Sequence, residues 1–262
     1  MADIGGNTRL YPVLGYPVRQ VRAPALINPM LARTGTDAVV VPVEVRPADL
    51  ASVVAGLRAM RNVDGLLVTV PHKVAVAGMA DRRSSRVEVC GSANVLRRDP
   101  DSGWSADMVD GLGFVAGLAA AGLEVRGRRT AVVGVGGAGV AIAAALLEAG
   151  VGELAVLDVD ANRRTAVLER LRAFWPDQVS ADADLKGVDL AVNATPLGLK
   201  PDDPLPFDPA RLPPSAIVAD IIMDPVRTPL LAAAEAAGRC THRGEPTLRH
   251  QLDFYCRFFG WP

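Results

Sequence analysis

Gly134, Gly136 and Gly139 stand at G-x-G-x-x-G spacing after the apolar run 130–133, an alanine-rich run follows, and Asp158 closes Leu154-Ala-Val-Leu. The order reads as strand, tight turn, helix, strand and carboxylate, the pattern in which N–H groups at a helix N-terminus receive a pyrophosphate. Glycine suits all three positions because a Cβ there collides with the phosphates or the packed strand. Gly137 and Ala138 complete the turn, and a dinucleotide is the predicted ligand. A carboxylate at Asp158 accepts hydrogen bonds from both ribose hydroxyls and repels a 2′-phosphate, which favours NAD over NADP. Two alternatives stay open. Asp158 could merely end the strand or cap the next helix, and Arg163 with Arg164 could pair with a phosphate if loop 158–162 folds back, so NADP is not excluded.

The elements that must position these residues alternate. Segments 10–15, 38–45 and 65–70 are β-branched or apolar runs of strand type, separated by 25–33 and 50–60 with apolar residues at helical spacing. Such alternation predicts an α/β fold with parallel strands and helices on both faces. Further buried-type strands at 188–194 and 216–220 flank the proline-rich loop 196–214, predicted as a surface rim. Residues 247–259 form an amphipathic aromatic segment expected to pack as a helix on the first domain.

A chain of 262 residues suggests two domains, and half of it is hydrophobic, ample for two cores. With 28 basic against 29 acidic residues the net charge is -1, so neither nucleic acid nor an anionic membrane is an expected partner. No apolar stretch reaches the length of a membrane span and Met1-Ala-Asp-Ile lacks a secretion signal, so a cytoplasmic protein is expected. Cys90, Cys240 and Cys256 are scattered, which predicts buried thiols rather than a disulfide framework or zinc site. His72 reads as loop surface, and His242 and His250 as structural or solvated residues, so no metal site is expected.

Val68-Thr-Val-Pro-His-Lys73, Gly91-Ser-Ala-Asn94, Asp107-Met-Val-Asp110-Gly111, the glycine loop, Asn193-Ala-Thr195-Pro-Leu-Gly198 and Gln251 follow one another at intervals that resemble the shikimate/quinate dehydrogenase family. That resemblance spans nearly the whole chain. It implies a substrate-binding domain over 1–112, a Rossmann-type NAD(P)-binding domain over 113–239 with a parallel sheet, a cleft between them, and a helix within 240–262 returning to the first domain. It implies reversible hydride transfer between a nicotinamide and a ring hydroxyl of shikimate or a related cyclic hydroxy acid, with a place in the shikimate pathway of aromatic amino acid biosynthesis. The catalytic pair it implies is Lys73 and Asp110. Oxidising a secondary alcohol removes the hydroxyl proton as hydride leaves carbon, and a lysine amine can take that proton where burial disfavours its ammonium form. A carboxylate favours the ammonium, so Asp110 is assigned positioning and relay. Thr69, Asn94 and Gln251 match uncharged polar contacts to substrate hydroxyls. Arg163, Asn193, Ala194, Thr195, Met223 and Gly244 fall with the glycine loop and Asp158 at the cofactor. A monomer or homodimer is expected.

The pattern breaks at the cleft, where the family binds the substrate's carboxylate through two serines, and at neighbouring positions. Val21 and Ala23 stand in place of two serines, Leu67 in place of an asparagine, and Met108 and Val109 in place of polar residues. A carboxylate buried against such side chains without donors costs several kcal/mol. Either Arg19, Gln20 or Arg22 supplies the anion contact, or the substrate is a modified, less polar relative of shikimate. A further alternative keeps the scaffold as a non-catalytic dinucleotide or metabolite sensor.

Overall fold

The computed structural model describes residues 4–182 and 184–262. The chain divides into two compact units, Met1–Val109 with Leu252–Pro262, and Asp110–Gln251.

The first unit contains β1 (Arg9–Gly15), α1 (Ala23–Arg33), β2 (Ala38–Glu44), α2 (Leu50–Ala59), β3 (Gly65–Val68), α3 (Lys73–Ala77), β4 (Arg82–Arg83), α4 (Ser85–Cys90), β5 (Val95–Arg98) and β6 (Trp104–Asp107). Its sheet runs β2-β1-β3-β5-β6-β4. The β-α-β alternation yields parallel pairing of β1 with β2 and β3. The expectation of parallel strands fails at β5, which lies antiparallel to both β3 and β6, whereas β4 pairs parallel with β6. Residues 99–103 explain the pairing of β5 with β6, since Asp99 N–H donates to the Gly103 carbonyl at 2.8 Å and Ser102 takes φ 66. So short a link closes a hairpin and cannot carry a crossover. Leu14, Ile27, Leu66, Leu96 and Trp104 fill the core. The chain's end joins it, with Tyr11 edge-on to Phe259 at 5.1 Å and to Trp261 at 4.7 Å.

The second unit contains α5 (Asp110–Ala120), β7 (Arg129–Val133), α6 (Gly137–Glu148), β8 (Glu153–Leu157), α7 (Ala161–Arg172), β9 (Val179–Ser180), β10 (Leu190–Asn193), β11 (Ile217–Asp220), α8 (Pro229–Ala236), β12 (Cys240–His242) and the start of α9 (Glu245–Phe259), as far as Gln251. Its six strands run β12-β11-β10-β7-β8-β9, and all pairs are parallel. Counted within the unit this is the doubly wound order whose ligands bind at the carboxyl ends of the strands. Every residue of β10 and β11 is buried, as strands covered on both faces require. Small residues let helices touch: a Cβ at Gly111 of α5 would strike the Ala141 carbonyl of α6. The loop 196–214 is mainly exposed, with Pro209 and Leu212 turned into the core.

Of the three thiols, Cys90 is buried and Cys256 half-buried. Cys240 corrects the expectation of burial: it begins β12, the edge strand, and is exposed. Among the described residues no helix is long and apolar enough to cross a membrane.

Candidate active site

At the ends of β1, β3 and β5 the first unit gathers Thr69, Lys73 and Asn94. Thr69 N–H donates to the Leu14 carbonyl at 2.8 Å, which holds the chain leaving β3 against β1. Lys73 is the first residue of α3, half-buried, and its carbonyl accepts from Ala93 N–H at 2.8 Å. Asn94 is 3% exposed. Its carbonyl accepts from Val68 N–H at 2.8 Å and its Oδ1 accepts from Val109 N–H, also at 2.8 Å. This one residue therefore fixes the strand end before Thr69 through its backbone and the segment before Asp110 through its side chain. Asp107 is buried and accepts from Ser84 Oγ at 2.6 Å, from Met108 N–H at 2.7 Å and from the Arg86 guanidinium.

The residues at which the sequence departs from the family pattern are apolar and turned away from solvent. Ala23 opens α1 and is buried, Val21 is half-buried, and Leu67, Met108 and Val109 are buried. Arg19, Gln20 and Arg22 are exposed beside them, with Gln20 Nε2 donating to the Pro17 carbonyl at 2.9 Å. His72 overturns its assignment to the surface. It is 1% exposed and its Nε2 lies 2.7 Å from the Val45 carbonyl oxygen.

In the second unit Asp110 begins α5, and its Oδ1 accepts from Gln251 Nε2 at 2.8 Å. Two residues 141 positions apart are thereby joined. Glycine at 113 permits the approach, since a Cβ there would strike the Gln251 side chain.

The glycine turn links β7 to α6. Gly134 takes φ +90 and a Cβ on it would lie 2.9 Å from the Ala194 carbonyl carbon, while a Cβ on Gly139 would strike the Gly134 carbonyl. Gly136 differs. It caps α6 at φ -67 and a Cβ there meets nothing within 4 Å, so neither backbone conformation nor protein packing demands glycine. Gly137 and Ala138 form the first turn of α6, half-buried.

Asp158 follows β8 with its side chain 4% exposed. Oδ2 accepts from Val135 N–H and Oδ1 from Asp160 N–H, each at 2.8 Å, which ties the glycine turn to the loop after β8. Asp160, not Asp158, caps α7, accepting from Arg163 N–H. The Arg163 guanidinium reaches Asp158 at 3.5 Å and Asp160 at 3.2 Å, and stays half exposed. Asn193 is buried, and its Oδ1 accepts from Thr195 N–H at 3.0 Å and from Thr195 Oγ1 at 2.7 Å. Ala194 N–H donates to the Val133 carbonyl at 2.8 Å. Met223 is half-buried beyond β11, and Gly244 is buried where a Cβ would strike the Ile221 carbonyl.

Asp220, unremarked in the sequence, is the buried support of this edge. It accepts from Asn193 Nδ2 at 3.2 Å, Ile222 N–H at 3.0 Å and Thr228 Oγ1 at 2.7 Å. Burial pushes its carboxyl above the usual range, against the three hydrogen bonds. An acidic residue closing the apolar run 216–219 was the available signal.

The family model for the shikimate dehydrogenase substrate binding domain matches residues 13–96. A shikimate dehydrogenase (NADP(+)) of Rubrobacter xylanophilus is 36% identical over 255 residues, covering 95% of this chain and 89% of the relative. Shikimate 5-dehydrogenase from Listeria monocytogenes, solved in complex with shikimate and NAD, is 26% identical with TM-score 0.89 over 100% of this chain and 95% of that one. The ligand-free 5-ketofructose reductase of a Gluconobacter strain is also 26% identical, with TM-score 0.85 over 97% of this chain and 94% of its own. The matched profile holds Thr69, Lys73 and Asn94, and the Rubrobacter likeness runs on through the glycine turn and Asp110; this chain belongs to the shikimate dehydrogenase family.

Proposed function

We propose that this protein is an NAD(P)-dependent dehydrogenase that moves hydride between a nicotinamide and a ring hydroxyl of shikimate or a related cyclic hydroxy acid. Residues 1–112 and the helix within 240–262 bind the substrate, and residues 113–239 the dinucleotide, in the cytoplasm. Gly136 carries this reading. Its open flank at the N-terminus of a twelve-residue helix has no use for glycine in packing, and close approach of a phosphate supplies one. The turn Gly134–Gly139, with Asn193, Ala194, Thr195, Met223 and Gly244, would hold the dinucleotide, which supplies the hydride acceptor when bound. Lys73 takes the hydroxyl proton and Asp110 orients and relays it. Thr69, Asn94 and Gln251 bind hydroxyls. The names of the relatives favour this reading over that of a sensor.

For the cofactor we favour NAD, because the carboxylate of Asp158 beside the glycine turn repels a 2′-phosphate. A second reading has support of its own: Arg163 is half exposed, and the Rubrobacter relative is named for NADP. For the substrate we favour a less polar relative of shikimate. Ala23, Leu67, Met108 and Val109 offer a carboxylate no donor, and the likeness to a reductase of 5-ketofructose, a sugar without a carboxylate, fits that composition. Steady-state turnover of shikimate, quinate, an aminoshikimate and 5-ketofructose with both nicotinamides tests these assignments. NAD-linked turnover in which shikimate is a poor substrate is expected. Strong NADP-linked shikimate oxidation overturns both the cofactor and the substrate assignment.

A further inference from the structure

His72 precedes Lys73 and is inaccessible to any ligand in solution, at 1% exposed. Its Nε2 lies 2.7 Å from the Val45 carbonyl oxygen, which can only accept, so the ring donates there. Val45 is itself held, its N–H donating to the Gly15 carbonyl at 2.9 Å. On the far side of the same turn, Ala93 N–H donates to the Lys73 carbonyl at 2.8 Å. His72 N–H closes the turn onto the Thr69 carbonyl at 3.0 Å. The helix that Lys73 begins has only five residues, too few to be stable alone, so these ties decide where it starts and how it points.

We infer that His72 is a positioning residue for Lys73: the bond from its ring to the Val45 carbonyl sets the origin of α3 and so the point from which the lysine stem leaves the backbone. The inference rests on the assignment of Lys73 as the acid–base group. Lysine's four-carbon stem is flexible, so the amine's average place follows the Cα that carries it. A displacement of about 1 Å at such a group costs on the order of a hundredfold in rate. If the ring acted only as filler, an aromatic ring of similar size would serve as well.

Two variants separate these roles. His72→Phe keeps a ring but removes the donor and leaves a buried carbonyl unpaired; His72→Gln returns an N–H near the same place. Lysine occurs only at 73, 186 and 200, so reductive 13C-methylation gives three resolvable side-chain signals in NMR besides the amino terminus. In His72→Phe the Lys73 signal moves while those of Lys186 and Lys200 stay. On the best-turned-over alcohol of the panel above, kcat falls about ten- to a hundredfold, with KM for the dinucleotide within about twofold. His72→Gln restores the signal and brings kcat within about threefold of the unaltered protein. An unmoved Lys73 signal and unchanged kcat in His72→Phe overturn the inference, as do equal losses in both variants with all three lysine signals shifted. Lys73→Ala distinguishes the two levels: full turnover there removes the acid–base assignment, while the NMR comparison still decides what His72 does.

Discussion

Lys73 and Asp158 show how much one side chain's fate depends on its neighbours. Lys73→Ala is expected to lower turnover at least about a hundredfold while dinucleotide binding, titrated calorimetrically, survives, because the lysine lies in the other unit from the glycine turn. Wild-type turnover in that variant would end its assignment as the base. Asp158 was legible as an acidic residue at a strand end, and the structure places it there. Its bonds to the Val135 and Asp160 N–H groups were not legible, since both depend on how the glycine turn meets the next loop. Those bonds leave Oδ1 a second lone pair, while Oδ2 also takes the Arg163 guanidinium at 3.5 Å. The burial of His72 is not legible for a similar reason: nothing in Val70-Pro-His-Lys announces a carbonyl 27 residues earlier as the partner of its ring.

Among the elements, the glycine turn offers the sharpest division between folding and binding. Gly139→Ala sets a methyl against the Gly134 carbonyl, and overpacking of that kind costs about 1–3 kcal/mol, readable as a lower denaturant midpoint. Gly136→Ala meets nothing, so its midpoint stays within about 1 kcal/mol, while dinucleotide affinity drops at least about tenfold. Affinity unchanged by Gly136→Ala would show that no phosphate approaches there. The second unit's strands could be found from sequence because buried parallel strands are continuous apolar runs, as in Leu190–Asn193 and Ile217–Asp220. Strands β4 and β9 have two residues each, too short for any periodicity to mark. The antiparallel β5 and β6 follow from a hairpin whose turn contains Ser102 at positive φ, where glycine would have been the readable sign.

For the molecule as a whole, acid stability should fall in two stages. His242 is buried with its Nε2 unpartnered within the protein, and desolvation holds its imidazole below the usual pKa of 6.5. The unfolded chain therefore binds that proton more readily, so stability is full above about pH 6.5 and declines as pH falls below it. A second decline follows nearer pH 4. There Asp81, Asp101, Asp160, Asp203 and Glu235, all lowered by hydrogen bonds to backbone N–H groups or arginines, must be protonated. Thermal midpoints between pH 4 and 8 check this, and His242→Leu should abolish the first stage alone. A single acid transition in the unaltered protein would contradict it. The close passage of Gly111 over the Ala141 carbonyl has a last consequence. With no side chain between the two helices, Asp110 is indexed to the helix that the glycine turn begins, so the carboxylate proposed as relay and the turn proposed to hold the phosphates share one mechanical datum. A methyl at 111 would act as a shim, displacing the carboxylate without altering any group that does chemistry.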